Sequence, residues 1–297
     1  MIWNPAPYLW PDGKSAAACF SVDVDATSPY LWHYRDGLPN GIAVPEHRQY
    51  GMREGLARLV AMLDRIGIKG SFFVPGVVAE ENPDLLPGLV KRGHEIGLHG
   101  YYHEIVADTS DQRFTDALAA SIELFIAQTG QKPAGFRSPA WEMTPHMLAQ
   151  LSSYGLWDSS LMGSDTPYTI SDVTEVPVRW DNDDAIFFKF LGAGDKPPRT
   201  DHEVFSQWQD EAGAQRRSGG LFMLTVHDWI SGRAARVEML EKLFRPLVDD
   251  SRCWIATCGE LAAHHLTLPE KLQITLGEII PINSRTVSYT HLTLPTI

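Results

Sequence analysis

Two histidines four residues apart, His99 and His103, are the side chains of this chain best placed for chemistry. They lie in residues 93–104, GHEIGLHGYYHE, a stretch typical of a short buried strand that ends in a loop. At this spacing both imidazoles can turn to one point, as a divalent transition metal requires of neutral nitrogen ligands. A chain with 11 histidines also contains such pairs by chance. The pair therefore indicates a metal site only together with further ligands.

Further candidate residues follow other apolar runs. Residues 16–24 are small and apolar, which is typical of a strand buried on both faces, and Asp23 and Asp25 stand at its end. Alternation along a strand puts these two carboxylates on the same side. Arg137 and His227 occupy corresponding places after later strands. An Asp there often caps a helix and an Arg is often a surface group, but their joint occurrence favours a catalytic site.

Apolar strands and amphipathic helices alternate along the chain. Strands are expected at 16–24, 70–74, 95–98, 157–159, 174–180, 220–226 and 253–257, a strand and loop at 135–141, and helices at 53–66, 85–92, 109–130, 145–153, 202–218 and 234–249. Repeated βα units with continuous apolar strands predict an α/β fold with a parallel sheet, and this many in series predict a closed barrel. Residues 27–52 are expected to form a long functional loop, and residues 182–200 a polar insertion.

Composition narrows the class of protein. The chain has 297 residues, of which 44% are hydrophobic, enough for one large domain. A net charge of −12 argues against a nucleic acid or an anionic membrane as partner. Three cysteines without a CxxC pair argue against a disulfide framework. With no signal-peptide pattern and no apolar run long enough to span a membrane, we expect a cytoplasmic protein.

The last residues differ in composition from the rest of the chain. Residues 1–282 are expected to form a single barrel domain with an irregular N-terminal arm. Residues 283–297 are Thr-rich and resemble a translated adapter or cloning scar, so we interpret them as a non-native tail. His291 lies in this tail and is excluded from the candidate site.

Four ordered motifs resemble those of the polysaccharide deacetylase superfamily, carbohydrate esterase family 4. They are SVDVD at 21–25, HGYYH at 99–103, RSPAW at 137–141 and LTVH at 224–227. The resemblance extends from about residue 16 to about residue 265 and implies a distorted (β/α)7-type barrel. Five segments are similar to an intracellular branch of cyclic imide hydrolases, allantoinases and peptidoglycan-deacetylase-like proteins: VDVDA at 22–26, FFVPG at 72–76, GHEIG at 93–97, HGYYHE at 99–104 and GR at 232–233.

The sequence departs from the family pattern at two positions. Val24 separates Asp23 from Asp25, where glycan deacetylases usually have adjacent aspartates, so which aspartate is the ligand stays open. Asp228 follows His227, where this branch usually has proline, and a carboxylate there would favour the charged imidazole. The allantoinase members lack a complete metal triad, whereas this chain retains one.

The resemblance implies a metal centre. Asp25, His99 and His103 would bind one Zn²⁺, with Co²⁺, Ni²⁺ or Mn²⁺ as alternatives. The fourth position would remain open for a water molecule, whose pKa the ion lowers, or for the substrate carbonyl.

It also implies roles in proton transfer. Asp23 would be the general base and would pair with Arg137, while His227 would protonate the leaving nitrogen. Asp183 is expected to orient His227, with Asp184 as the rival.

The remaining predicted residues concern substrate binding. By the same resemblance, the backbone N–H of Ala140 would stabilise the oxyanion. Trp141, Trp229, Tyr50 and Tyr101 are expected to line an aromatic pocket suited to a small flat ring.

These roles predict a metal-dependent amidohydrolase that acts on C–N bonds other than peptide bonds and opens a small cyclic imide. The alternatives are an N-deacetylase of an N-acetylglucosamine-containing glycan, an allantoinase and, outside enzymes, a catalytically silent metal-binding barrel. The branch resemblance further implies a homotetramer.

Overall fold

The computed structural model describes residues 7–37, 41–192 and 194–279, so the predicted tail at 283–297 lies outside the described residues. Strands in this part of the chain are Ala16–Asp23 (β1), Ser71–Val74 (β2), Glu95–Leu98 (β3), Gly135–Phe136 (β4), Trp157–Asp158 (β5), Tyr168–Ile170 (β6), Val173–Glu175 (β7), Leu221–His227 (β8), Cys253–Ile255 (β9) and Gln273–Ile274 (β10). They form one sheet in the order β10-β6-β7-β5-β4-β3-β2-β1-β8, and β9 pairs with β1. All pairs are parallel except β6 with β7.

Helices surround this sheet. They are Ser28–His33 (α1), Ala43–Tyr50 (α2), Leu56–Ile66 (α3), Gly76–Glu81 (α4), Leu85–Lys91 (α5), Asp111–Thr129 (α6), Pro145–Tyr154 (α7), Ala185–Phe188 (α8), Asp201–Ser218 (α9), Asp228–Ser231 (α10), Ala234–Val248 (α11), Cys258–Thr267 (α12) and Leu276–Ile279 (α13). The expected α/β fold with a parallel sheet is confirmed. The backbone ladder does not close completely, because among the described residues the edge beyond β8 is bridged only at Asp183, which pairs with Thr225.

Alternate residues of β1 face two different cores. Ala18, Phe20 and Val22 pack between the sheet and the helices, whereas Ala17 and Cys19 belong to a smaller cluster inside the barrel. All eight residues of β1 are buried, which explains its unbroken small and apolar sequence. Because side chains alternate along a strand, the last interior position of β1 is that of Asp23.

The strand register brings the polar ends of the strands to one level. Asp23 of β1 lies opposite His227 of β8, and Leu98 of β3 lies opposite Phe136 of β4. Residues just past these strands therefore meet at one edge of the sheet, which we call the mouth. The opposite edge, where the strands begin, we call the bottom. Catalytic residues of parallel barrels lie at the mouth.

One expectation about an irregular segment was wrong. Residues 27–52 contain α1 and α2, followed by a π-helical turn at Gly51–Gly55, and not a long loop. The polar insertion expected at 182–200 includes the short helix α8. Neither helix of the first segment has a strong apolar stripe, and tertiary contacts described below hold α2 in place.

Candidate active site

Three predicted ligands converge at the mouth. Nε2 of His99 lies 3.4 Å from Oδ1 of Asp25, and Nε2 of His103 lies 3.5 Å from the same oxygen. The two imidazole rings are nearly perpendicular, with centroids 5.0 Å apart. All three residues are buried. A ligand atom from each lies within 4.8 Å of the other two, so the group could hold one metal ion.

The orientation of these groups fits a metal ion. His99 Nδ1 donates to the backbone oxygen of Arg137 at 2.8 Å, which leaves the lone pair of Nε2 directed at Asp25. Oδ1 of Asp25 is buried and accepts no hydrogen bond from the described residues. A buried carboxylate oxygen without a donor is costly in an isolated protein and is explained by a cation at that point.

Nearby charges favour the ionised form of the same carboxylate. Burial alone would raise the pKa of Asp25, but positive charge on the imidazoles of His103, His227 and His99, which a bound cation would replace, lowers that pKa below its usual range. Ser28 Oγ donates to the backbone oxygen of Asp25 at 2.7 Å and fixes the chain after β1. The side chain is therefore both ionised and positioned.

A fully buried arginine organises the next part of the site. The Nη1 group of Arg137 donates to Asp23 Oδ1 at 2.7 Å and to Ser21 Oγ at 2.9 Å. Its Nε and Nη2 groups donate to the backbone oxygen and Oγ of Ser159 at 2.9 and 3.0 Å. Trp141 Nε1 lies 3.5 Å from Asp23 Oδ2. Asp23 is thus engaged by Arg137 and not by the histidine pair, whereas Asp25 faces the imidazoles.

His227 lies on the other side of the cluster and is oriented by a neighbour different from the one expected. Its Nδ1 is 2.7 Å from Asp184 Oδ1, and its backbone N–H donates to Asp184 Oδ2 at 2.9 Å. Oδ1 of Asp183 is 3.7 Å from Nδ1 and instead accepts from the N–H of Ala185 at 2.7 Å. The choice of Asp183 was therefore wrong, because this residue caps α8 and leaves the imidazole to Asp184.

The charge state of His227 follows from its carboxylate neighbours. Burial would lower the pKa of this imidazole, but Asp184, Asp25 and Asp183 together raise it well above its usual range. The carboxylate of Asp228, which the sequence suggested for this effect, turns towards the N–H of Ala26, 3.5 Å away. His227 Nε2 points into the cluster, 3.8 Å from Asp25 Oδ2.

The loop after Arg137 carries two of the predicted substrate-binding residues. Ala140 and Trp141 both have positive φ, +55° and +56°, a conformation that concentrates at functional sites. Ala140 is exposed, and the buried ring of Trp141 stacks on Trp180 at 4.4 Å. Trp180 was missed by the sequence analysis, although its place just before Asp183 and Asp184 was an available signal.

The other predicted aromatic residues have contacts of their own. Trp229 is buried beneath Arg48. The hydroxyl of Tyr50 donates to the backbone oxygen of Gly232 at 3.1 Å. The hydroxyl of Tyr101 donates to Glu80 at 2.9 Å. Of the four predicted rings, Trp141 therefore lies against Asp23, whereas the other three contact Arg48, Gly232 and Glu80.

Arg48 is a second residue that the sequence analysis missed. It is buried, donates to the backbone oxygen of Ala26 at 3.2 Å, and lies 4.0 Å from Asp25 Oδ2. The predicted loop concealed it, since Arg48 reaches the site only because α2 is helical. Close packing of Gly51 and Gly55 against α10 sets this arrangement, because a Cβ at either position would lie about 2 Å from Asp228.

Fold and site together define a class: an α/β-barrel hydrolase with a histidine–carboxylate cluster at the mouth. The pattern of the polysaccharide deacetylase family matches residues 49–157. A crystal structure assigned to the polysaccharide deacetylases, from Mycobacterium smegmatis, is 34% identical, with a TM-score of 0.81 over 88% of this chain and 93% of that one. A peptidoglycan deacetylase of Helicobacter pylori is 26% identical over 290 residues, 84% of this chain and 96% of the relative. The fold also resembles the Puue allantoinase structure, with 19% identity and a TM-score of 0.79 over 91% of this chain and 96% of that one.

The chain belongs to the polysaccharide deacetylase family. It is accordingly an enzyme that hydrolyses C–N bonds other than peptide bonds. The family depends on a metal ion, and the two groups of possible ligands found in the described residues differ in their suitability. Asp183, Asp184 and His227 already satisfy one another or a backbone N–H, whereas Asp25, His99 and His103 present acceptors to one another. Within the described ranges, no helix combines the length and apolar character needed to cross a membrane.

Proposed function

We propose that this chain is a zinc-dependent hydrolase that opens a small cyclic imide. Asp25, His99 and His103 would hold the ion. When bound, zinc supplies a Lewis acid for the scissile carbonyl and makes a nucleophilic water available near neutral pH. Asp25 Oδ1, buried between two imidazole nitrogens 3.4 and 3.5 Å away, is the observation that carries the metal-dependent part.

Asp23, paired with Arg137, is the general base. Asp23 accepts the proton of the attacking water, and its ion pair with Arg137 at 2.7 Å fixes the direction of the carboxylate and balances its charge. Since Arg137 is fully buried and bonded to Ser21 and Ser159, it holds Asp23 rigidly. The N–H of Ala140, in the neighbouring loop, is the proposed backbone donor to the oxyanion.

His227 and Asp184 supply the acid. Asp184 fixes the proton on Nδ1, and the surrounding carboxylates favour the charged ring, so that Nε2 carries a second proton. His227 gives that proton to the nitrogen as the C–N bond breaks. This division gives the base and the acid opposite sides of the ligand cluster.

Enclosure of the site supports a small substrate. The side chains of Asp23, Asp25 and His227 are only 2%, 6% and 12% exposed. A small flat ring needs less open surface than a glycan chain. The rival, removal of acetyl groups from an N-acetylglucosamine-containing glycan, is favoured by the similarity to the Helicobacter pylori peptidoglycan deacetylase over 96% of its length.

One side-by-side assay tests the proposal. Zinc-loaded protein is given succinimide, allantoin and an N-acetylglucosamine oligomer under identical conditions, with His99→Ala as the inactive control. We expect the highest kcat/KM on the imide. Preference for the oligomer would establish the rival, and no hydrolysis of any substrate by metal-loaded protein would point to a silent metal-binding barrel.

A further inference from the structure

The turn between the two proposed histidine ligands has an uncommon backbone conformation. Gly100 has a φ of +68° and His103 a φ of +62°. A non-glycine residue in this left-handed region is disfavoured and persists only where its surroundings hold it. Since the turn directs both imidazoles towards Asp25, whatever holds the turn also determines the geometry of the ligand cluster.

The carbonyl groups of the turn are held by backbone donors. The N–H of Gly76 donates to the oxygen of Gly100 at 3.0 Å, and the N–H of Val77 donates to the oxygen of Tyr101 at 2.9 Å. Both donors belong to the first turn of α4, directly after β2. Ser121 Oγ also donates to the oxygen of Gly100 at 3.3 Å, but no side-chain substitution removes the two backbone bonds.

The amide side of the turn depends on one side chain. Glu104 Oε2 accepts from the N–H of Tyr101 at 2.8 Å, and Oε1 accepts from the N–H of Tyr102 at 3.1 Å. Glu104 is only 7% exposed, and hydrogen bonds from backbone N–H groups to a carboxylate are among the strong ones. A Cβ at Gly100 would lie 2.6 Å from Oε2, so the turn closes directly over this carboxylate.

We propose that Glu104 is a positioning residue that holds the two histidines in their metal-binding arrangement before the ion arrives. It acts through the amides of Tyr101 and Tyr102, and its own carboxylate is occupied by them. If the turn is already ordered in the metal-free protein, binding of the ion does not include the free-energy cost of ordering it. The inference rests on the metal site proposed above, and it adds a residue that supports His99 and His103 without binding the ion.

Zinc affinity of the metal-free protein tests this role. We would measure Kd by competition with a chromogenic chelator for wild type, Glu104→Ala, Glu104→Gln and the matched control Glu80→Gln. Glu80 contacts the same loop, but only through the Tyr101 hydroxyl. Loss of an outer partner of metal ligands typically costs about 10- to 100-fold in affinity, and we expect this for Glu104→Ala. Glu104→Gln retains one acceptor oxygen and should lose less, while Glu80→Gln should match wild type.

The outcomes separate the two proposals. If wild type binds no zinc, the proposed metal site is wrong. If wild type and Glu104→Ala bind zinc equally well, the metal site stands and the role of Glu104 is refuted. Thermal unfolding of the metal-free variants distinguishes general instability, which would lower Tm without changing the Kd of folded protein. Should Glu104→Ala fail to fold, an unchanged Kd for Glu104→Gln would overturn the inference and a raised one would support it.

Discussion

The two ends of β3 carry buried polar side chains in opposite situations. At the bottom, Glu95 begins the strand, and its Oε2 accepts from Ser71 Oγ at 2.6 Å and from the N–H of Gly259 at 3.0 Å. Gly259 lies in the first turn of α12, where a carboxylate is favourable. The carboxylate of Glu95 is therefore satisfied by donors of the protein itself.

At the mouth, the same strand leads to His99, four residues further on. Here Asp25 Oδ1 and two imidazole nitrogens face one another, and the carboxylate oxygen has no donor among the described residues. The two carboxylates differ in what completes them, since donors of the protein bond Glu95, whereas Asp25 Oδ1 faces the site of the proposed cation. Parallel barrels show the same division between a stabilising end and a catalytic end.

Removing a ligand should give the largest effect and is the strongest test of this contrast. We expect His99→Ala and Asp25→Ala to purify without zinc and to have no hydrolytic activity, because two remaining ligands bind weakly. His146→Ala is the matched control, since His146 bonds Thr115 away from the cluster. Metal analysis of protein prepared without chelator gives the result, and a full complement of zinc in His99→Ala would show that the ion binds elsewhere.

Asp23 should separate turnover from metal binding. We expect Asp23→Asn to retain about one zinc per chain and to lose about 10²–10⁴-fold in kcat, because the amide cannot accept the proton. Asp25→Asn should instead lose the metal. If Asp23→Asn lost its zinc and Asp25→Asn kept it, the assigned roles of base and ligand would be reversed.

The loss of activity on replacing His227 should be larger for substrates with poorer leaving groups. An imide expels a delocalised amide nitrogen, whereas an acetamide must expel an amine that needs full protonation, so His227→Ala should cost less on an activated imide. Asp184→Asn should follow the same order with smaller losses, and Asp183→Asn should cost least. The measurement is kcat/KM over imides and amides graded by leaving-group pKa. Equal losses across the series with zinc intact would exclude His227 as the acid.

Much of the fold follows from local sequence, because continuous apolar strands leave a strong pattern. The buried runs at 16–24, 95–98 and 220–226 correspond to β1, β3 and β8 within a residue. The helices α1 and α2 were missed because tertiary contacts, and not an apolar stripe, stabilise them. The bonds from Arg48 to Ala26 and from Tyr50 to Gly232 are examples of such contacts.

Within the site, sequence predicted which residues meet but not the direction of every side chain. Strand ends identify Asp25, His99 and His227 because parallel strands finish at one level. Asp183 and Asp184 are adjacent in sequence, and only the backbone decides that Asp183 caps α8 while Asp184 faces the imidazole. Arg48 could not be predicted from the same pattern, since it arrives from a helix that the pattern did not show.

The smallest expected effect concerns the bottom of the sheet, where Glu95 should influence stability and not catalysis. Burial raises the pKa of Glu95 to about 6, although hydrogen bonds from Ser71 and Gly259 oppose this. The folded state therefore holds the proton more tightly than the unfolded chain. This contribution to stability is complete below the unfolded pKa, near 4.5, and is lost as the pH rises through about 6.

Glu95→Gln cannot ionise and should lack this pH dependence. A shift of this size corresponds to about 2 kcal/mol, so the free energy of unfolding of Glu95→Gln relative to wild type should rise by about that much between pH 4.5 and 7.5. Urea unfolding across this range measures the difference, with the exposed Glu238→Gln as control. The kcat of folded Glu95→Gln should equal that of wild type. If the difference in unfolding free energy did not change with pH, burial would not raise the pKa of Glu95. A fall in kcat would mean that the bottom and the mouth are coupled through β3.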